Sequence, residues 1–287
     1  MIKLNGIILF VLICITSCTK KTEDATDVSS IASDDGFAEN IIYDLKNAGD
    51  QAGTYELSPT IKSFEKSKDT CLGVKFMKFD TITKSGTLVV SYGKDGKTNC
   101  TCKDGKTRRG SIEINYQPTK NIIGSVITYR TDSIQKNKDS DQKVKNEYFV
   151  NDNQLIGYKK VTLKDARTFE INVKDAKIIK KDGGMISWSS DRVRLWTAGY
   201  DTPDIKDDSY EITGTSYGIN SNNIPYSFST ITALEKSTVC QWIKKGKLKI
   251  TRTGKKDAII DYGDGACDNK AILTVGTWTK EILVKSW

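Results

Sequence analysis

Apolar and polar residues alternate strictly through much of this chain. "SIEINY" places Ile112, Ile114 and Tyr116 on one side and Ser111, Glu113 and Asn115 on the other, and "TFEINVK" repeats the pattern with Phe169, Ile171 and Val173. A period of two belongs to strands with one buried and one solvated face, the pattern of antiparallel sheets. Turn signals interrupt these runs at "NDNQ" from Asn151, "KDGG" from Lys181, "NSNN" from Asn220 and "YGDG" from Tyr262. With only four prolines, long strands can run unbroken. One segment breaks the alternation. In "DDGFAENIIYDLKNAGDQAG", Phe37, Ile41, Ile42 and Leu45 recur at helical spacing, Asp34 or Asp35 can cap the start, and Gly49 can end it. The pattern predicts an all-β protein with long antiparallel sheet or sheets and one amphipathic helix over residues 37–48.

An internal echo adds detail. Cys71 and Cys240 are each followed, at nearly equal distance, by a strand ending in Tyr-Gly (Tyr92-Gly93 and Tyr262-Gly263). Each copy continues through an Asp-Gly turn, another cysteine, Asp-Gly-Lys or Asp-Asn-Lys, and a further alternating strand. The shared order predicts two related lobes, about 60–175 and 176–287, or two related edges of one sheet. It also predicts disulfide-stapled hairpins: Cys240 with Cys267, and Cys71 with Cys100 or Cys102, one thiol being left over. Each bridge would close a loop of about 30 residues, worth roughly 3–4 kcal/mol in the chain-entropy model.

The N-terminus sets the compartment. Lys3 precedes an apolar run, Gly6 to Ile15, which ends at Ile15-Thr16-Ser17-Cys18. Charge, short apolar core and small residues in that order are the marks of a secretory signal, and the run falls short of the roughly 20 residues needed to span a bilayer. The last four residues resemble a bacterial lipobox. The resemblance implies cleavage before Cys18, acylation of Cys18 and loss of Cys14 with the signal (residues 1–17). Residues 18–36 are polar and predict a flexible tether. The two lysines followed by Glu23-Asp24 loosely resemble a surface-export signal of Bacteroidota lipoproteins.

Composition narrows the chemistry. The chain has no histidine, which excludes Ser-His-Asp and Cys-His catalysis and histidine-ligated zinc. Its net charge is +8, and removing the acidic tether leaves the body more basic still. That suits acidic partners such as charged glycans, and an exported chain with scattered lysines does not point to nucleic acid. "ISWSSDRVRLW" puts Trp188, Ser190, Arg192, Arg194 and Trp196 on one strand face, a row that could stack sugar rings or serve as an inter-strand cation–π ladder. "DYGDGACDNKA" carries Asp261, Asp264 and Asp268, but the spacing fails the calcium-loop template and the first copy lacks the acids. The echo reads it as a hairpin turn bearing Cys267; a calcium site there stays open. No metal, cofactor or catalytic residue is expected.

"NCTCKDGKTRRGSIEINY", "ISWSSDRVRLW", "YEITGTSYG" and "VCQWIKKGKLKI" leading to "DYGDGACDNKAILTV" together resemble a family of Bacteroidota lipoproteins of unknown function. The resemblance runs from near Phe37 to about Val275, with Ile243-Lys244-Lys245 departing from it before Gly246. It implies an exported, all-β, lipid-anchored protein and transfers no catalytic residue. The expectation is a non-enzymatic outer-membrane lipoprotein that binds an envelope glycan or protein. The alternatives are a carboxylate-dependent glycan hydrolase, which needs two acids in a groove with one pKa raised, and a purely architectural spacer.

Overall fold

A computed structural model describes residues 17–51, 71–80, 82–83, 85–93, 97–117, 122–136, 143–202 and 204–284. The signal segment up to residue 16 lies outside them. The chain begins with helix α1 (Ser17–Gln51), followed by strands β1 (Leu72–Phe79), β2 (Gly86–Tyr92), β3 (Cys100–Thr101), β4 (Thr107–Gln117), β5 (Val126–Arg130), β6 (Ile134–Lys136), β7 (Lys143–Lys145) and β8 (Tyr148–Val150). The series continues with β9 (Asn153–Leu163), β10 (Thr168–Ile179), β11 (Met185–Ala198), β12 (Ser209–Ile219), β13 (Pro225–Ser237), β14 (Lys245–Thr251), β15 (Ala258–Asp264), β16 (Lys270–Val275) and β17 (Trp278–Leu283). Fifteen strands form one antiparallel sheet with the order β1-β2-β4-β5-β9-β10-β11-β12-β13-β14-β15-β16-β17, β3 pairing with β4 and β8 with both β4 and β9, while β6 and β7 pair separately. Fold class therefore agrees with the alternation. No helix among the described residues is long and apolar enough to cross a membrane.

Register separates two faces. One cross-strand row runs Leu88, Ile114, Tyr129, Lys159, Val173, Ser190, Ser216, Phe228, Ile250, Ala258, Val275, Trp278. This inner face carries most of the core. The adjacent row on the outer face is polar, with Thr87, Asn115, Thr128, Lys160, Asn172, Asp191 and Thr215 in succession. The turn signals at Asn151, Lys181 and Asn220 fall where hairpins form, whereas Tyr262, Gly263 and Asp264 of the fourth still belong to β15 and the turn follows them. At Asn151 and Asp152 both residues take positive φ (48° and 62°), the geometry of a tight two-residue hairpin.

The residue 175/176 boundary between lobes falls inside β10, at a bulge where Asp175 has φ 51°. The ladder continues through it, so the two copies of the echo sit in one sheet. Cys71 bonds Cys100 and Cys240 bonds Cys267. The first bridge closes the open end of hairpin β1–β2, the second that of β14–β15. These hairpins lie towards opposite margins of the sheet and point opposite ways.

Helix α1 is longer than the apolar stripe implied. Val28, Ile31, Asp35, Ala38, Ile42, Leu45 and Gly49, spaced three and four apart, are all buried on it. That seam is continuous, but aspartates occupy its middle, so a reading by hydrophobicity stops at Phe37. Asp34 and Asp35 consequently lie mid-helix and buried rather than capping it, and Gly49 lies within the last turn. Residues 28–36, expected to be tether, are packed on the sheet. The helix crosses the strands: Ser30 and Asp34 touch the β12–β13 turn, Asp35 touches β11 and β12, and Asp44 touches β4 and β8.

Candidate functional site

The chemistry-bearing side chains converge on the seam between α1 and the inner face. At the C-terminal end of the seam, Asp44 is fully buried. Its carboxylate accepts hydrogen bonds from Arg108 Nε (2.9 Å) and Nη2 (2.6 Å), Tyr148 Oη (2.5 Å) and Lys106 Nζ (3.0 Å). Arg108, itself buried, also donates to both oxygens of Asp104 at 2.8 and 2.6 Å, and its guanidinium lies over the Tyr92 ring. Burial alone would raise the Asp44 carboxyl, but the hydrogen bonds and charge of Arg108, aided by Lys106 and Tyr148, hold it below the usual carboxylate range. This seat is a charge-saturated clamp.

Nearer the N-terminus, Asp35 is equally buried but differently served. It accepts from Trp188 Nε1 at 2.6 Å and Ser216 Oγ at 2.9 Å, both neutral donors. Burial pushes its pKa up to about 6; the nearby Arg192 charge opposes the rise and Glu39, one helical turn on, adds to it. Arg192 does not ion-pair Asp35: its Nη2 contacts Ser216 Oγ at 3.4 Å and Glu39 at 3.6 Å. Its Nε and Nη1, and the Tyr226 hydroxyl facing Asp35, make no well-formed hydrogen bond among the described residues. A third seat holds Asp34 between Lys180 Nζ (3.4 Å) and the Ser221 amide and hydroxyl (2.8 and 2.6 Å). Trp188 and Arg192 stand opposite Gly218 and Gly214, and a Cβ at Gly214 would fall 2.1 Å from the Asp191 carbonyl.

The row read from "ISWSSDRVRLW" is thus brought together on one face of β11, and that face is the inner one. Trp188, Arg192, Arg194 and Trp196 are all less than one-tenth exposed. Arg194 lies between the rings of Phe169 (4.7 Å) and Tyr210 (5.1 Å), and Trp196 packs on both rings. Arg194 thus makes inter-strand cation–π contacts, whereas Arg192 contacts Ser216 and Glu39 instead. Trp188 and Arg192 lie beneath α1, in contact with Asp35 and Glu39.

In "DYGDGACDNKA", Asp261 pairs with Lys247 at 2.8 Å and accepts the Gly263 amide, while Asp268 accepts the Lys270 amide. These are a cross-strand ion pair between β14 and β15 and local turn bonds in the segment that carries Cys267. Among the described residues no group of three His, Cys, Asp or Glu side chains is placed to hold a metal. A cavity of about 90 Å³ lined by Phe37, Asn40, Ile41, Asp44, Lys106, Val150, Asn151 and Asn153 lies beside the Asp44 clamp. It has the volume of a few waters, not of a sugar ring.

The sequence reading missed Asp34, Asp35, Asp44, Arg108 and Tyr148 as a set. The continuous three-and-four spacing of positions 28 to 49 was the signal that could have found Asp35; Asp34 and Asp44 each lie one position to the side of that seam. No protein-family model, no curated protein and no solved structure matches the chain.

Proposed function

We propose that the chain is an exported lipoprotein, anchored through Cys18 in the outer membrane, whose β body acts by binding an envelope glycan or protein rather than by catalysis. The observation that carries this reading is the pair of disulfides closing two hairpins of a chain that opens with a charge, an apolar run and Ser17-Cys18. Structural disulfides persist in oxidising compartments, which is where such a signal delivers a chain. The family resemblance supports the same destination. The basic composition supports an acidic partner. Asp35 supports the non-catalytic half: its raised pKa is that of a catalytic acid, but its carboxyl is spent on Trp188 and Ser216 beneath the helix.

A second reading, an architectural spacer, is favoured by one observation. The helix is continuous from Ser17 into the buried seam at Val28, a rise of roughly 16 Å. An acylated Cys18 would then hold the sheet off the bilayer on a stalk rather than a loose tether.

The test has two stages. Cells expressing wild type or Cys18→Ala are fed an alkyne-tagged palmitate; label is expected in wild type, in the outer-membrane fraction, and absent from the variant. Equal labelling of both, or of neither, overturns the anchor. The purified protein is then applied to a glycan array at low and physiological salt and cross-linked in envelopes. Salt-sensitive glycan retention or a specific cross-link is expected, and the absence of both shifts the weight to the spacer.

A further inference from the structure

On the outer face of the sheet, two tyrosines and a set of cations share one row. Tyr217 of β12 is 52% exposed, and its cross-strand neighbours are Ser189 on β11 and Ser227 on β13. A ring in a sheet is normally covered by the side chains beside it. Two serines are too small to do so, and among the described residues no ring or cation packs on Tyr217. Tyr158 of β9 stands on the same face three strands away, roughly 14 Å at the usual strand spacing. The Arg130 guanidinium lies over its ring at 4.6 Å, and Lys174 is its cross-strand neighbour on the other side. Lys160, two positions along β9, and Lys177, opposite Ile156, complete the group. A bulge at Asp175, whose amide donates to Ser189 Oγ, links the two tyrosines across β10 and β11.

Further along this face the lysines are paired: Lys247 has Asp261 and Lys249 has Asp257. Among the described residues Arg130, Lys160, Lys174 and Lys177 enter no ion pair, and three of the four are exposed. Two acids adjoin them, Glu113 opposite Arg130 and Asp175 in the bulge, so the cations are in excess. Asp191, the next acid along, is held by the Asn172 amide. Stacking on Tyr158 fixes the plane of the Arg130 fork, the geometry that meets a carboxylate or phosphate.

We propose that this stretch of the outer face is the platform on which the chain holds an acidic glycan. A sugar ring stacks on Tyr217, and carboxylate or phosphate groups of the same glycan chain bind Arg130, Lys160, Lys174 and Lys177. The platform presupposes the glycan-binding function proposed above and gives that function an address. An open row suits an extended polymer, whereas a small molecule needs a cleft that buries most of its surface. The ring supplies orientation, and the cations supply an attraction that salt weakens. A lipid surface fits less well. Lys174 and Asp175 lie between the two rings, and inserting them among acyl chains would strip their hydration.

The full chain is titrated with heparin oligosaccharides and with oligogalacturonate at low and physiological salt, with a neutral maltooligosaccharide as control. Salt-sensitive binding of at least one anionic probe is expected, and none of the neutral one. Lys174→Gln/Lys177→Gln should weaken binding about tenfold and flatten its salt dependence, and Tyr217→Ala should weaken it by about threefold or more. Lys247→Gln/Lys249→Gln removes the same two charges from ion-paired lysines on the same face and should bind as wild type. Equal loss in both double variants overturns the platform, because net charge then suffices. Undiminished binding by either Tyr217→Ala or the Lys174/Lys177 variant also overturns it, and leaves glycan binding to another part of the chain. No binding of any probe overturns it as well; the envelope cross-link described above then decides between a protein partner and the spacer. Preference for phosphatidylglycerol vesicles over both anionic glycans overturns it in favour of a lipid surface. Should Tyr217→Ala fail to fold, the two double variants decide.

Discussion

Asp35 and Asp44 sit on one helix, both removed from water, and their protonation is driven in opposite directions. The difference is not burial, which penalises the charge at both. It is what the sheet offers. β4 brings Arg108, with Lys106 beside it, into direct contact with Asp44, whereas β11 and β12 give Asp35 an indole N–H and a hydroxyl and direct the nearest guanidinium towards Glu39. A buried carboxylate is therefore a clamp or a weak point according to one bidentate partner.

The two seats impose opposite pH dependence. Asp44 is depressed in the folded state, so its contribution is present above the unfolded value near 4 and is lost as pH falls through its lowered value. Asp35 is raised to about 6, so its contribution is full below pH 4 and is lost as pH rises through about 6. Between those limits the helix is held most firmly in mildly acidic solution.

The largest effect should come from breaking the clamp on one side. Arg108→Met strands the Asp44 charge in the interior, and a loss of about 3–5 kcal/mol in urea unfolding is expected. A second change tests whether pairing or charge matters. Adding Asp44→Leu to Arg108→Met removes the stranded charge and should recover most of that loss; no recovery would mean that the seat acts through Tyr148 or Lys106 instead. Next comes the weaker seat. Asp35→Asn keeps acceptors for Trp188 and Ser216 without the buried charge, so it should stabilise the protein at pH 7 by on the order of 1–3 kcal/mol. It should also flatten the unfolding profile between pH 4 and 7. A wild-type-like profile would show that Asp35 does not set that limb. The smallest effect belongs to the solvent side. Lys247→Ala removes the half-exposed partner of Asp261 and should cost less than about 1 kcal/mol, further reduced in high salt.

Particular residues show where legibility stopped. Ile112, Ile114, Phe169 and Val173 were assigned to a buried face from alternation alone, and all four strand-mates occupy the inner face. The pairing of Cys240 with Cys267 was legible because each cysteine flanks the same hairpin. The choice of Cys100 over Cys102 was not, because both share a direction on the chain and only the approach of Cys71 separates them. Trp188, Arg192, Arg194 and Trp196 were read correctly as one row. Alternation says which residues share a face, but not which face another element will cover.

By itself, then, the sequence determined the periodicities: strands, turns, the hairpin that "DYGDGACDNKA" makes, and a helix around Phe37 to Leu45. These follow from the chain's local geometry, which fixes where each side chain points relative to its neighbours. The tertiary structure decided the meaning of the charges. Asp34, Asp35, Asp44 and Arg108 look solvated in any local window, because burying a charge is unfavourable until a partner stands within hydrogen-bond reach. Apart from Asp104, four positions before Arg108, those partners lie 64 to 187 positions away along the chain, in parts of the sheet that only folding brings beneath the helix.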